Sequence, residues 1–403
     1  MTLVIVAFVV GLVMAMAIGA NDVANSMATA VGAKAITIKQ AVIIAAIFEF
    51  SGAFFFGKMV TNTIRKGIIS PDLIKDPNML IAGALAALIS ATIWIFVATR
   101  FSLPISTTHS IVGGMTGFGI IALGWSAINW LKISAIVASW FLSPFLGGLI
   151  GFFVFKLIVL LVFHKKSSLD AMKKVGPFLI GATFFIFMLM FFNKALHKSN
   201  MGFYAIISLG IAAVMGIIGF FILRKIKAKD DEDEYIVVES MFKKLQIMTS
   251  CYVSVAHGSN DVANAIGPLA AIYGIWKFHE ITSNSTVPKS LLILGGIGIA
   301  IGVAVWGHKV MKSVGEGITN LNNSRGFSVD FSAATTVFLA SMFGLPVSST
   351  HIVVGAITGV GFANGFEALN LNFLKQIFAS WLLTVPLAAV TSAILYKIIF
   401  SFL

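Results

Sequence analysis

The chain has 403 residues, of which 58% are hydrophobic and 11% charged, so it cannot cover a water-soluble surface with polar side chains. Its net charge of +12 does not point to nucleic acid, because the basic residues sit in short segments between apolar runs, as the positive-inside rule expects, and no nucleic-acid motif is present. Cys251 is the one cysteine, which excludes an internal disulfide and a Cys-rich metal site.

In chain order, runs long enough to cross a bilayer lie near 2–30, 40–57, 79–98, 103–123, 131–163, 177–192, 201–223, 245–275, 290–306, 331–344 with 346–363, and 375–403. They are continuous rather than alternating, which favours helices over a barrel. The expected fold is an all-α, polytopic membrane protein, rich in Gly (37) and Phe (36) as closely packed membrane helices are. Gly, Pro and runs of Ser and Thr interrupt several runs and predict discontinuous or re-entrant segments. The first run has no basic n-region and leads straight into Asn21 and Asp22, so it is expected to stay in the mature chain.

Three blocks occur twice. Gly19-Ala20-Asn21-Asp22-Val23-Ala24-Asn25-Ser26 returns as Gly258-Ser259-Asn260-Asp261-Val262-Ala263-Asn264-Ala265, an offset of 260 − 21 = 239. Leu103-Pro104-Ile105-Ser106-Thr107-Thr108-His109 returns as Leu345-Pro346-Val347-Ser348-Ser349-Thr350-His351, at 345 − 103 = 242, and Ser139-Trp140 as Ser380-Trp381, at 241. A weaker echo pairs Gly57, Val60 and Gly67 with Gly307, Val310 and Gly317. Blocks in one order and nearly constant register define two halves, 1–165 and 240–403, joined by 166–239.

The connection holds two apolar runs. Lys165, Lys166, Lys173 and Lys174 precede them, and Arg224, Lys225, Lys227 and Lys229 follow, so both ends are expected in the cytoplasm. Asp230-Asp231-Glu232-Asp233-Glu234 reads as a solvated loop. The second half therefore starts inside, whereas an almost uncharged N-terminus followed by Lys34 and Lys39 favours an outside start for the first. That predicts inverted repeats whose equivalent segments meet near the bilayer midplane.

An aspartate inside hydrocarbon costs about 2.5–3.5 kcal/mol on insertion scales, and this chain carries that cost twice in matched surroundings. On a helix Asp22 and Asn25, and Asn21 and Asn25, share a face, as do Asp261, Asn264 and Asn260. A polar helix-packing contact is the plain reading of one such block; two matched carboxylates favour ligand binding. The Pro-Ser/Thr-His blocks join a helix-initiating Pro to successive hydroxyls, which suits an anion at a helix N-terminus or a hard cation, against simple N-capping. His109 and His351 read as hydrogen-bonded structural residues. Glu49 has no repeat partner and reads equally as a cation ligand or a buried neutral acid.

Two ionised aspartates with a phosphate dianion total −4, and neither block supplies a Lys or Arg. Cations or protons must enter with the anion. An Asp can accept the hydrogen bond of a protonated oxyanion, which suits phosphate better than sulfate.

The two Asn-Asp-Val-Ala-Asn signatures and the Pro-(Ile/Val)-Ser-(Thr/Ser)-Thr-His pair resemble the inorganic phosphate transporter (PiT) family, over both halves of the chain. The resemblance implies a cation-coupled phosphate symporter of inverted repeats in the plasma membrane, multi-pass and homodimeric. It is not an enzyme and has no cofactor; Na⁺ drives some members and H⁺ others, and some carry sulfate. It implies phosphate ligands at Asp22, Asn25, Thr107, Thr108, Asp261, Asn264, Ser348, Ser349 and Thr350. Sodium is assigned to Asn21, Asp22, Asn25, Glu49, Ser106, Thr107, Asn260, Asp261, Asn264 and Ser348. The rivals are an intramembrane aspartyl protease with Asp22 and Asp261 as its dyad, and a passive channel.

Overall fold

The computed structural model describes residues 2–65, 76–195, 201–228, 233–278, 287–342 and 347–402. Among these the chain forms thirteen α-helices and no strand. The first half supplies α1 (Thr2–Asp22), α2 (Ala24–Gly32), α3 (Ile38–Arg65), α4 (Pro77–Arg100), α5 (Thr107–Leu123) and α6 (Trp130–Ile158). The connection supplies α7 (Ser168–Ala195) and α8 (Met201–Arg224). The second half supplies α9 (Glu234–Phe278), α10 (Lys289–Gly317), α11 (Asn323–Met342), α12 (Ser349–Asn364) and α13 (Leu371–Phe400). Eight described stretches are long and apolar enough to cross a membrane. The predicted Gly67, Asp230, Asp231, Glu232, Leu345 and Pro346 features lie outside the described residues.

Helix starts follow local chemistry. Asp76 accepts from Asn78 N at 2.9 Å ahead of Pro77, which needs no donor partner there. Asn129 and Asn370, equivalent positions, start α6 and α13 by accepting from Lys132 N and Phe373 N, each at 3.1 Å. The predicted discontinuities fall at 101–106, between α4 and α5, and between α11 and α12. The twin Asn-Asp-Val-Ala-Asn blocks differ: α1 breaks into α2 at Val23, while α9 runs unbroken for 45 residues. At about 1.5 Å per residue α9 is longer than a bilayer core is thick, so its first turns reach beyond the hydrocarbon.

The halves interlock through glycines that let backbones touch. A Cβ at Gly258 of α9 would strike the Glu49 carbonyl of α3, and one at Gly19 of α1 the Ile299 carbonyl of α10. Gly52 meets the Val255 carbonyl, and Gly302 that of Met16. Gly117 of α5 meets Ala389 of α13, and Gly359 of α12 meets Gly148 of α6. Each pair is its partner pair with the halves exchanged, at the offsets of the sequence repeats: 258 − 19 = 239, 359 − 117 = 242 and 389 − 148 = 241. α3 and α10 share a further offset, 302 − 52 = 250, which is also that of the weak Gly57 and Gly307 echo. Each half is thus wrapped on the other.

Gly258→Val is expected to force α9 off α3 and destabilise the fold by roughly 1–3 kcal/mol or more, read as a lowered thermal midpoint in detergent. Gly210→Val on α8, where an added Cβ meets nothing within 4 Å, should leave that midpoint unchanged.

Candidate functional site

Ser106 and Ser348 begin the two hairpin helices. Their hydroxyls accept from His109 N at 3.2 Å and His351 N at 3.3 Å, so both are N-caps. The capping reading therefore holds for these two serines, and the residues after them are left free to face inward. Thr107, Thr108, Ser349 and Thr350 occupy the first turns of α5 and α12, where unbonded N–H groups and the helix dipole favour an anion.

The Asn-Asp blocks meet those turns crosswise. Asn25 Nδ2 donates to Thr350 Oγ1 at 2.9 Å and to Ser349 Oγ at 3.4 Å, spanning from the first half to the second. Asn264 Nδ2 donates to Thr107 Oγ1 at 3.1 Å and Thr108 Oγ1 at 3.2 Å, spanning back. With 264 − 25 = 239 and 350 − 108 = 242, these are the same contacts under exchange of halves. Thr107 also donates to Asp22 Oδ2 at 2.6 Å, and Asn25 to Asp22 Oδ1 at 3.2 Å, which is the shared helix face expected of them.

Asp22 and Asp261 are buried, and one atom from each, with a nitrogen of His257, lie within 4.8 Å of one another. Two negative charges at that separation repel by on the order of 3 kcal/mol at an effective dielectric of about 20. A cation between them removes that cost. Carboxylate, hydroxyl and amide oxygens are the donor set a hard cation takes. Asn264 Oδ1, buried and without a hydrogen-bond partner among the described residues, adds one more such donor.

Asn21 departs from expectation. Its amide donates to Thr99 Oγ1 and Leu103 O, both at 3.0 Å, and its oxygen accepts from Ile105 N at 3.1 Å. Those three bonds commit its amide to the end of α4 and the α4–α5 connection, rather than to the sodium site it was expected to join. Ser106 and Ser348 are likewise occupied as caps, and Asn260 is half-buried one residue before Asp261. Asn21→Ala should loosen the hairpin by leaving the buried Ile105 N–H unpaired, at a cost of roughly 1–3 kcal/mol, seen as faster amide exchange at Leu103, Ile105 and Ser106.

Glu49 faces a partner the sequence reading missed. Its Oε1 accepts from Ser26 at 2.9 Å and lies 3.5 Å from His257 Nδ1, while His257 Nε2 lies 2.5 Å from Asp261 Oδ2. His257 precedes Asp261 by one helical turn, and that spacing was the available signal. Asp330 of α11 was also missed. It accepts from Thr29 and Ser250 at 2.6 Å and from Thr249 at 3.2 Å, making a second buried cluster of hard oxygens. His109 and His351 pack behind the hairpin tips. His351 stacks on Trp381 at 3.6 Å and its Nδ1 lies 3.2 Å from the Trp140 carbonyl, as structural histidines do.

The model of the phosphate transporter family matches residues 18–392. A chain of Thermococcus kodakarensis bearing the name phosphate permease is 51% identical over 397 residues, 98% of this chain and 97% of that one. The chloroplastic inorganic phosphate transporter 2-1 of Arabidopsis thaliana is 37% identical over 424 residues, covering 97% of this chain and 71% of its own. A solved structure described as the sodium-dependent phosphate transporter is 50% identical, with a TM-score of 0.93 over 100% of both chains. All are named as carriers, which removes the protease reading of Asp22 and Asp261. The chain belongs to the phosphate transporter family.

Proposed function

We propose that this chain is a sodium-coupled symporter of inorganic phosphate that works by alternating access between two inverted halves. The observation that carries the reading is the crosswise site: a buried carboxylate from each half within 4.8 Å, under two helix N-termini lined with hydroxyls. Phosphate binds at those N-termini through Thr107, Thr108, Ser349 and Thr350, steadied by the Asn25 and Asn264 amides. Sodium binds at Asp22 and Asp261, and the Asp330 cluster suits a further cation.

Loading is electrostatic in logic. Phosphate alone would add charge to a site that already repels itself, so the anion binds only with sodium, and the neutralised assembly can be occluded. Because each half grips the hairpin of the other, a rocking motion opens one side as it closes the opposite one. The positive-inside pattern supports an N-terminus on the outside, and the family resemblance supports a homodimer in the plasma membrane.

Radiolabelled phosphate uptake into proteoliposomes tests this, with sodium and proton gradients imposed separately and sulfate as competitor. Uphill uptake driven by sodium and unaffected by sulfate is expected. Uptake driven by protons alone, competition by sulfate, or equilibration without accumulation would point instead to a proton symporter, a sulfate permease or a channel.

A further inference from the structure

The end of the molecule where α6, α7 and α8 converge carries cations that transport does not use. Lys165 and Lys166 follow α6, Lys174 lies in the second turn of α7, and Arg224, Lys225 and Lys227 close α8; all six are exposed. Val162, Leu169, Met172 and Leu223 pack into one core cluster, which fixes these three helix ends side by side.

None of the six makes an ion pair among the described residues. Among the described residues, the neighbouring acids are engaged elsewhere. Asp170 pairs with Lys173 at 3.5 Å, and Glu234 accepts from Leu169 N and Ser167 Oγ, both at 3.1 Å. Asp233 accepts from Tyr235 N at 2.9 Å, and Glu239 from Ser324 Oγ at 2.7 Å. Directly along the same helices the surface turns apolar, with Leu157, Leu160, Phe178, Phe221 and Ile222 exposed. Arg224 sits over the Phe220 ring at 4.6 Å, its charge held at the border between the two zones.

We propose that this end of α6–α8 is a docking surface for anionic phospholipid headgroups. The cations begin where the lipid-facing side chains stop, which is the height of the headgroup phosphodiesters, and unpaired Lys and Arg there attract anionic lipid over a Debye length. A soluble polyanion would meet the charges but leave the apolar skirt unused, whereas a phospholipid satisfies both with one molecule. The α7–α8 pair packs mainly on itself and on α9, so lipid held at its base anchors it beside the moving halves.

The full chain is reconstituted without sodium in nanodiscs of phosphatidylcholine, with and without phosphatidylglycerol, and its thermal midpoint is measured. The midpoint should rise by several degrees in the anionic discs, and the rise should shrink as salt is added. Lys165→Gln, Lys166→Gln, Arg224→Gln and Lys225→Gln together should abolish the rise while keeping the midpoint in neutral discs. Native mass spectrometry should show wild type retaining severalfold more phosphatidylglycerol than the quadruple variant. Inorganic phosphate added to neutral discs should not raise the midpoint. An equal lipid-dependent rise in the variant, no rise in wild type, or a rise with inorganic phosphate in neutral discs that the quadruple variant loses would each overturn the assignment.

Discussion

Asp261→Asn and Asp22→Asn are each expected to abolish sodium-dependent phosphate uptake in proteoliposomes while the purified chain keeps its helical content and a cooperative melt. The amide has nearly the volume of the carboxylate, so the packing around α2, α9 and the hairpin tips is retained and the main change is one negative charge. Loss of an outer partner of a metal ligand costs about 10–100-fold, and loss of the ligand itself should cost at least that. Both changes should abolish uptake, but only Asp261→Asn also removes a partner of His257, so it should lower the thermal midpoint further than Asp22→Asn. Uptake at wild-type rate in either variant would remove the aspartates from the cation site.

The second large effect is expected at His257. It lies between two buried acids, 3.5 Å from Glu49 and 2.5 Å from Asp261, and among the described residues Glu49 has only the Ser26 hydroxyl besides. Removing one partner from a buried ionic group leaves the other uncompensated, at roughly 3–5 kcal/mol. His257→Ala should therefore lower the thermal midpoint strongly in sodium-free detergent. Adding Glu49→Gln should restore much of the loss, since the orphaned carboxyl is then neutral, and a double-mutant cycle reads that coupling. Simple additivity of the two changes would show that Glu49 and His257 do not act as a pair.

Much of this arrangement was legible in the sequence because duplication leaves its mark in register. The offsets near 240 between repeated blocks return as exchanged contacts: Asn25 with Thr350, and Asn264 with Thr108. Even the faint Gly57 and Gly307 echo marks a real equivalence, since each glycine lies against the valine of the opposite Asn-Asp-Val block, Val262 or Val23. Asp22 and Asn25, expected on one helix face, do bond, although the helix breaks between them at Val23.

What escaped the sequence depends on partners 78 to 301 residues away. Asn21 belongs to the same block as Asn25, yet its three hydrogen bonds go to Thr99 at the end of α4 and to Leu103 and Ile105 just beyond it. Val23 interrupts a helix where its repeat Val262 does not, so identical letters take two backbone paths under different tertiary packing. His257 and Asp330 have no polar repeat partner, and their value appears only once Glu49, Thr29 and Ser250 converge on them.

Phosphate binding to the purified chain, titrated at several sodium concentrations by equilibrium dialysis, tests most directly whether anion and cation share one site. Phosphate affinity should fall by orders of magnitude as sodium is replaced by choline, and phosphate should tighten sodium binding by the same factor, as linkage requires. Phosphate affinity that stays constant across that replacement would contradict the account.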